Sequence, residues 1–208
     1  MSGYNTSDQE QIQMLKDWWK KYGATILTGL LVFFVANFSW SFWKNYKQRY
    51  TSEASWMYTQ MLSALQMKKN EEAQVFGDNL VKNYSRTPYA SLAELWLAKE
   101  AVEQNKLDTA LTQLQWVMQH ASNDNLKQIA RLRAARILLA NNKNAEALNL
   151  LQQVDDEGYK AAIAELRGDI LLAQDKQKEA IAAYQEALSA SKEESSFLLK
   201  MKLERLDR

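Results

Sequence analysis

No cysteine occurs anywhere in the sequence, so disulfides, thiolate catalysis and zinc–thiolate sites are excluded. An oxidising compartment is compatible with that absence but not required by it. The single histidine, His120, is too few for a histidine-based metal site or a catalytic triad. It ends a helical segment, where a cation is mildly favoured, and no catalytic role is assigned to it. One proline and six glycines leave few sharp turns and no glycine-rich phosphate loop. Charge of one sign is also missing. The net charge is +1 over 208 residues, which gives no basic footprint for nucleic acid. No nucleophile, base and orienting group converge in the pattern, so no enzyme, cofactor, metal or small-molecule substrate is expected.

What is present is one long apolar run. Ala24 to Trp43 reads ATILTGLLVFFVANFSWSFW and contains no charged residue. At about 1.5 Å per residue, twenty helical residues cross a hydrocarbon layer about 30 Å thick. Backbone polar groups in hydrocarbon must be satisfied internally, so the run is expected to be a transmembrane helix. Trp18, Trp19 and Tyr22 precede it, and Trp40, Trp43 and Tyr46 end it, in the positions of two interfacial aromatic belts. The bulky end, Trp40-Ser41-Phe42-Trp43, does not suit signal cleavage, so an uncleaved anchor is expected. Asn37 is the strongly polar side chain of the run. It either bonds a neighbouring membrane helix or is tolerated near the interface with Ser39 and Ser41. Lys16, Lys20 and Lys21 on one side balance Lys44, Lys47 and Arg49 on the other, so flanking charge leaves the orientation open.

These features divide the chain into residues 1–23, 24–43 and 44–208. Met1 to about Ser7 is polar and expected to be disordered. Asp8 to Tyr22 carries Ile12, Leu15, Trp18, Trp19 and Tyr22 at helical spacing. It is either an amphipathic lead-in on the membrane surface or a simple extension of the span. Lys44 to Met67 continues as a helix with an apolar stripe of Met57, Met61, Leu62 and Leu65. Beyond it, helical segments alternate with polar breaks at 68–70, 83–87, 105–106, 122–123, 141–143, 155–158, 175–176 and 189–191. Thr87-Pro88 is a helix start, with Thr as N-cap and Pro at the first helical position. The expected fold is all-α, with eight or nine short helices after the same plan.

Short helices cannot hide their apolar faces alone, and a repeat supplies the partners. Gly168, Ala180, Tyr184 and Ala187 are spaced by 12, 4 and 3 residues. Ala135, Ala147, Leu151 and Val154 repeat the spacing, as do Ala98, Ala110, Leu114 and Val117, and, in degenerate form, Met61, Ala73, Gly77 and Leu80. A small residue late in one helix lets the next helix cross closely, and the larger residue at +16 fills the space beside the crossing. This pattern resembles the tetratricopeptide repeat. It implies stacked helical hairpins, closed by a capping helix over 193–206 with Phe197, Leu198, Met201 and Leu206 as its apolar residues. The first helix of each pair would then line a concave face. Leu92, Leu95, Lys99 and Val102 would point there from one repeat, Ile129, Leu132, Arg136 and Leu139 from the next, and Ala162, Glu165, Asp169 and Leu172 from the last. Such an apolar groove, changing from basic to acidic along its length, suits a partner helix or an extended peptide. The alternative is that its leucines are packed core and its charges solvated. Arg131, Arg133 and Arg136, at offsets 0, 2 and 5, do not all share one face, which argues against a phosphate site.

The Trp18-Trp19-Lys20-Lys21-Tyr22-Gly23 lead into the span and Tyr89-Ala90-Ser91-Leu92-Ala93 opening a helix are followed by Asp124-Asn125-Leu126-Lys127. Leu132-Arg133 with Ala135-Arg136, then Leu166-Arg167-Gly168 and Met201-Lys202, complete the order. In that order the chain resembles the YfgM-type family of ancillary SecYEG translocon subunits. The span is richer in Phe and Trp than that family suggests. The resemblance implies a cytoplasmic N-terminus, one inner-membrane span and a periplasmic tetratricopeptide-like domain. The implied partners are the SecYEG translocon, a membrane-anchored periplasmic chaperone of the PpiD type, and membrane lipid. The implied role is an interaction scaffold that helps pass secreted proteins to periplasmic chaperones; a holdase that grips unfolded clients in the groove is the alternative.

Overall fold

The computed structural model describes residues 5–154, 157–191 and 196–206. Among them are α-helices and one short 3-10 turn at Glu157–Tyr159, with no strand. The chain divides into two compact units, Met1–Tyr50 and Thr51–Arg208.

Helix α1 runs from Asn5 to Gln66 as one element of 62 residues. The lead-in, the span and the first helix of the repeat region are therefore continuous. No proline interrupts this stretch, so nothing in the sequence forces a break. Of the polar tail expected to be disordered, residues 5–7 lie in α1, and 1–4 fall outside the described residues. In the first unit the side chains of α1 are almost all exposed: Phe34 is 67% and Phe38 76% accessible. None of the apolar window is buried by protein, and it is long enough to cross a membrane. Trp18 meets Tyr22 at 5.9 Å between ring centroids, and Trp40 meets Trp43 at the same distance. Gly23 gives the Trp19 indole a seat, since a Cβ there would lie 3.1 Å from the ring.

In the second unit the end of α1 shares a core with α2 (Asn70–Asn83) through Met61, Ala64, Ala73 and Leu80, and α3 (Pro88–Glu103) pairs with α4 (Leu107–His120), α5 (Asp124–Ala140) with α6 (Asn144–Gln152), and α7 (Lys160–Ala173) with α8 (Gln177–Ala190). Helix α9 (Ser196–Leu206) packs on α8. Each hairpin also touches the next, through α2 on α3, α4 on α5 and α6 on α7, and the first helices meet directly where α3 touches α5 and α5 touches α7. This is a continuous stack of antiparallel helix pairs. The breaks fall at the expected polar residues to within a residue, except that Ser189 and Ala190 of the break expected at 189–191 still belong to α8; Asp155 and Asp156 lie outside the described residues. Thr87 caps α3 by accepting a bond from the Ala90 amide, with Pro88 at the first helical position.

Every position of the four-copy repeat is buried. In the last copy the Tyr184 ring lies directly over Gly168, where a Cβ would be 2.6 Å from Cε1. The two middle copies place Ala98 and Ala135 against the smaller Leu114 and Leu151, so size is exchanged across the crossing. In the degenerate copy the bulk is reversed. Met61 is large, and Gly77 instead faces Leu97 of the next helix, which a Cβ there would meet at 3.4 Å.

The turn inside each hairpin is a second repeat. Lys68, Asn105, Asn142 and Asp175 have φ of 58, 58, 59 and 60°. Each is followed by a lysine whose amide bonds back to the preceding helix: Lys69 to Ala64, Lys106 to Ala101, Lys143 to Leu138 and Lys176 to Leu171, at 2.8–3.0 Å. A left-handed residue closing a helix in this way satisfies its last carbonyls, and Asn and Asp tolerate the conformation better than most residues. The expected capping helix is partly corrected. Leu199, Leu203 and Leu206 of α9 face the core, whereas Phe197, Leu198 and Met201 are 69, 66 and 52% exposed. Residues 193–195 of that segment lie outside the described residues.

Gly168→Ala should lower stability by about 1–2 kcal/mol, because overpacking against a buried ring outweighs the roughly 1 kcal/mol that Ala gains over Gly in a helix. Gly168→Ala with Tyr184→Leu, which copies the pair used in the middle hairpins, should recover at least part of the loss. Urea midpoints of the three proteins check both statements.

Candidate functional site

The expected groove residues separate by burial. Leu95 and Leu132 are each 5% exposed and pack between neighbouring hairpins, Leu95 against α5 and Leu132 against α7. They are core residues and do not line an open surface. Leu92, Ile129 and Ala162 are half-buried. Lys99 and Arg136 are exposed. Val102, Leu139 and Leu172 occupy equivalent places in successive hairpins, and Leu65 precedes Val102 by the 37 residues of the repeat. All four stay partly accessible, Val102 at 40% and Leu172 at 38%, so an aliphatic row runs along the first helices. Leu65 was the member missed from sequence, because the first copy of the repeat is degenerate.

Between α3 and α5 this face opens into a cleft of about 230 Å³. Its floor is Ala98, Val102 and Ile137, and its cations are Lys99, Arg133 and Arg136. The three arginines of α5 therefore split. Arg133 and Arg136, one turn apart, share the cleft, while Arg131 bonds the Gln128 side chain at 2.9 Å and leaves its Nε buried without a partner. Arg133 donates to the Leu95 carbonyl at 3.2 Å, and Lys99 pairs with Glu103 at 3.0 Å.

The expected acidic end is closed from within the chain. Lys202 of α9 bonds Glu165 at 2.8 Å and Asp169 at 2.7 Å, and lies 5.3 Å from the centroid of the Tyr184 ring. The Tyr184 hydroxyl donates to Asp169 at 2.7 Å. Burial would lower the Lys202 pKa, but its hydrogen bonds to Asp169 and Glu165 outweigh that and hold it above the usual lysine range. Burial, then the bond to Asp169 and the two carboxylate charges, push the Tyr184 hydroxyl up. The two carboxylates are thus structural groups that tether α9. His120 stacks on Trp116 at 4.6 Å, consistent with a helix-end role.

The membrane-facing candidates Trp18, Trp19, Tyr22, Asn37, Trp40 and Trp43 are all exposed on α1. Lys21 lies 5.4 Å from the Tyr22 ring and Lys47 5.4 Å from the Trp43 ring, which joins a cation to an aromatic at each end of the apolar run.

Glu94 sits on the buried side of α3, 7% exposed. Burial, and then the charge of Asp78 from α2, raise its pKa to about 7; burial also raises Asp78.

A profile of the family described as "Tetratricopeptide repeat-like domain" matches residues 16–208. The chain is 28% identical to an "Ancillary SecYEG translocon subunit" of Haemophilus influenzae over 98% of this chain and 99% of the relative. It is 28% identical to the protein of that name from Escherichia coli K12, over 82% of each. It is 32% identical to the one from Buchnera aphidicola subsp. Acyrthosiphon pisum, over 72% of this chain and 77% of the relative. Among solved structures, MamA 41-end from Desulfovibrio magneticus RS-1 superposes with a TM-score of 0.60 at 17% identity, covering 74% of this chain and 83% of that one. A MamA double mutant gives 0.55 at 16% identity, over 74% and 94%. These two share the fold.

Glu94 makes stability depend on pH. The folded chain holds this proton more tightly than the unfolded chain, whose carboxyl titrates near 4.5. Stability is therefore full below that value, falls as pH rises towards about 7, and levels off above it. The loss is up to about 3 kcal/mol. Glu94→Gln should flatten this fall and be the more stable protein at pH 8, as measured by urea denaturation at pH 5 and pH 8.

Proposed function

For a chain that belongs to the tetratricopeptide repeat-like family of ancillary SecYEG translocon subunits, we propose a non-enzymatic, membrane-anchored scaffold at the Sec translocon. The observation that supports this reading most is the aliphatic row from Leu65 to Leu172, which stays accessible across four hairpins whose other apolar residues are largely packed. Exposed apolar residues aligned along one face of a helical stack suit a partner segment laid across it. The apolar part of α1 holds the protein in the inner membrane as a single pass, with the aromatic pairs at its two ends in the headgroup layer.

The finer parts of the reading go with the family. The N-terminus lies in the cytoplasm and the helical stack in the periplasm. There the stack meets a membrane-anchored chaperone of the PpiD type, and emerging secreted proteins pass from the translocon to periplasmic chaperones along it. Residues 1–23 lie at the cytoplasmic face. Asn37 is available to a neighbouring membrane helix, where an interhelical bond is worth about 1 kcal/mol.

Membranes solubilised in a mild detergent should yield SecYEG together with the tagged chain. Recovery of the chain without any Sec component contradicts the scaffold reading. The absence of native cysteine makes orientation directly readable. Ser191→Cys should react with a membrane-impermeant maleimide in cells whose outer membrane alone is permeable. Labelling only after the inner membrane is lysed places the stack in the cytoplasm instead.

A further inference from the structure

We infer that the cleft between α3 and α5 takes an acidic, aliphatic segment of a partner protein, seating a carboxylate beside Arg136 and a leucine-type side chain on Ala98, Val102 and Ile137. This rests on the scaffold reading and names the chemistry of one contact within it.

The argument compares two equivalent helix junctions. Glu165 and Asp169 of α7 stand at the repeat positions of Leu95 and Lys99 of α3. At the α7 junction a cation arrives from the next packed helix, and Lys202 finds both carboxylates within 2.8 Å. At the α3 junction a cation also arrives from the next helix, Arg133, but it meets a backbone carbonyl and shares its cleft with Lys99 and Arg136. The carboxylates that balance Lys202 have no counterpart there except Glu103, a rim residue whose side chain is half exposed and already engaged by Lys99. Arg136 has no ion pair or hydrogen bond among the described residues. Three cations against one carboxylate around an apolar floor form a surface whose complement is a carboxylate next to an aliphatic group. The volume of about 230 Å³ is below that of ordinary small-molecule pockets and suits a single large side chain. A planar guanidinium such as that of Arg136 can take a carboxylate through two parallel bonds, and the apolar floor beside it favours an acid with an aliphatic neighbour over a bare anion.

The test uses the full chain in detergent micelles and fluorescence anisotropy with three short synthetic peptides. The first alternates Asp and Glu with Leu. The second replaces the acids by Asn and Gln, and the third keeps the acids and replaces Leu by Ser. The acidic leucine peptide should bind, and each twin should bind about tenfold more weakly or worse. Arg136→Glu, which removes no internal hydrogen bond or ion pair among the described residues, should weaken the first peptide by about tenfold, while Lys178→Glu on α8 should leave it unchanged. Displacement by inorganic phosphate at the peptide's own concentration would show a generic anion site. That result overturns the inference, as do absent binding, equal binding of either twin, or an undiminished Arg136→Glu protein. Recovery of SecYEG with the Arg136→Glu and wild-type chains separates the two levels. Peptide binding without SecYEG removes the scaffold reading alone, and SecYEG without peptide binding removes this inference alone.

Discussion

The close crossing inside each hairpin is the constraint on which the rest depends. Isolated helices of 14 to 17 residues are marginal in water, so α2 to α5, α7 and α8 owe their existence to what covers their apolar sides. A small residue late in one helix and an alanine twelve positions on bring two backbones close enough for that cover to be dense. Volume is then conserved locally. Gly168 permits Tyr184, whereas Ala98 and Ala135 permit leucine. The left-handed turn residue and the lysine after it close each hairpin with the same turn, so one hairpin follows another in register.

Stacking also decides which polar groups are left for partners. Interior positions between hairpins go to Leu95 and Leu132, and at the last junction the same position is Glu165, neutralised by Lys202. The acidic end is thereby consumed in holding α9, and the basic middle is not. Some polar atoms inside the stack remain without partners, among them Ser91 Oγ, Gln113 Oε1 and Arg131 Nε. With Asn144 Oδ1 they belong to the two middle hairpins, α3–α4 and α5–α6, and Glu94 lies on α3 as well.

Much of this was legible in the order of residues, because the spacing of 12, 4 and 3 has one physical meaning and the chain repeats it four times. The Thr87 cap, the apolar run and all the described breaks but the one expected at 189–191 are local signals and fall where expected. The groove was harder. A helical wheel cannot tell a residue facing the next hairpin from one facing solvent, since both lie off the axis of the crossing. That is why Leu95 and Leu132 can be read as groove or as core from spacing alone, while Leu65, named in an apolar stripe, lies in a copy too degenerate to place it in the row. The role of Lys202 is silent in the sequence, because a pairing 33 to 37 residues away leaves no periodic trace. The turn repeat was present as Asn105-Lys106, Asn142-Lys143 and Asp175-Lys176, in register with the alanines. Lys68 obscured the fourth copy by standing where Asn or Asp is favoured.

The most direct measurement is the nuclear magnetic resonance of Gly168 in the full chain, labelled selectively with glycine and tyrosine in micelles. The stack predicts nuclear Overhauser contacts between the Gly168 α-protons and the Tyr184 ring, with those protons displaced upfield by the ring current. Gly168 α-protons at ordinary helical shifts, without any contact to Tyr184, would contradict the close crossing and with it the hairpin stack.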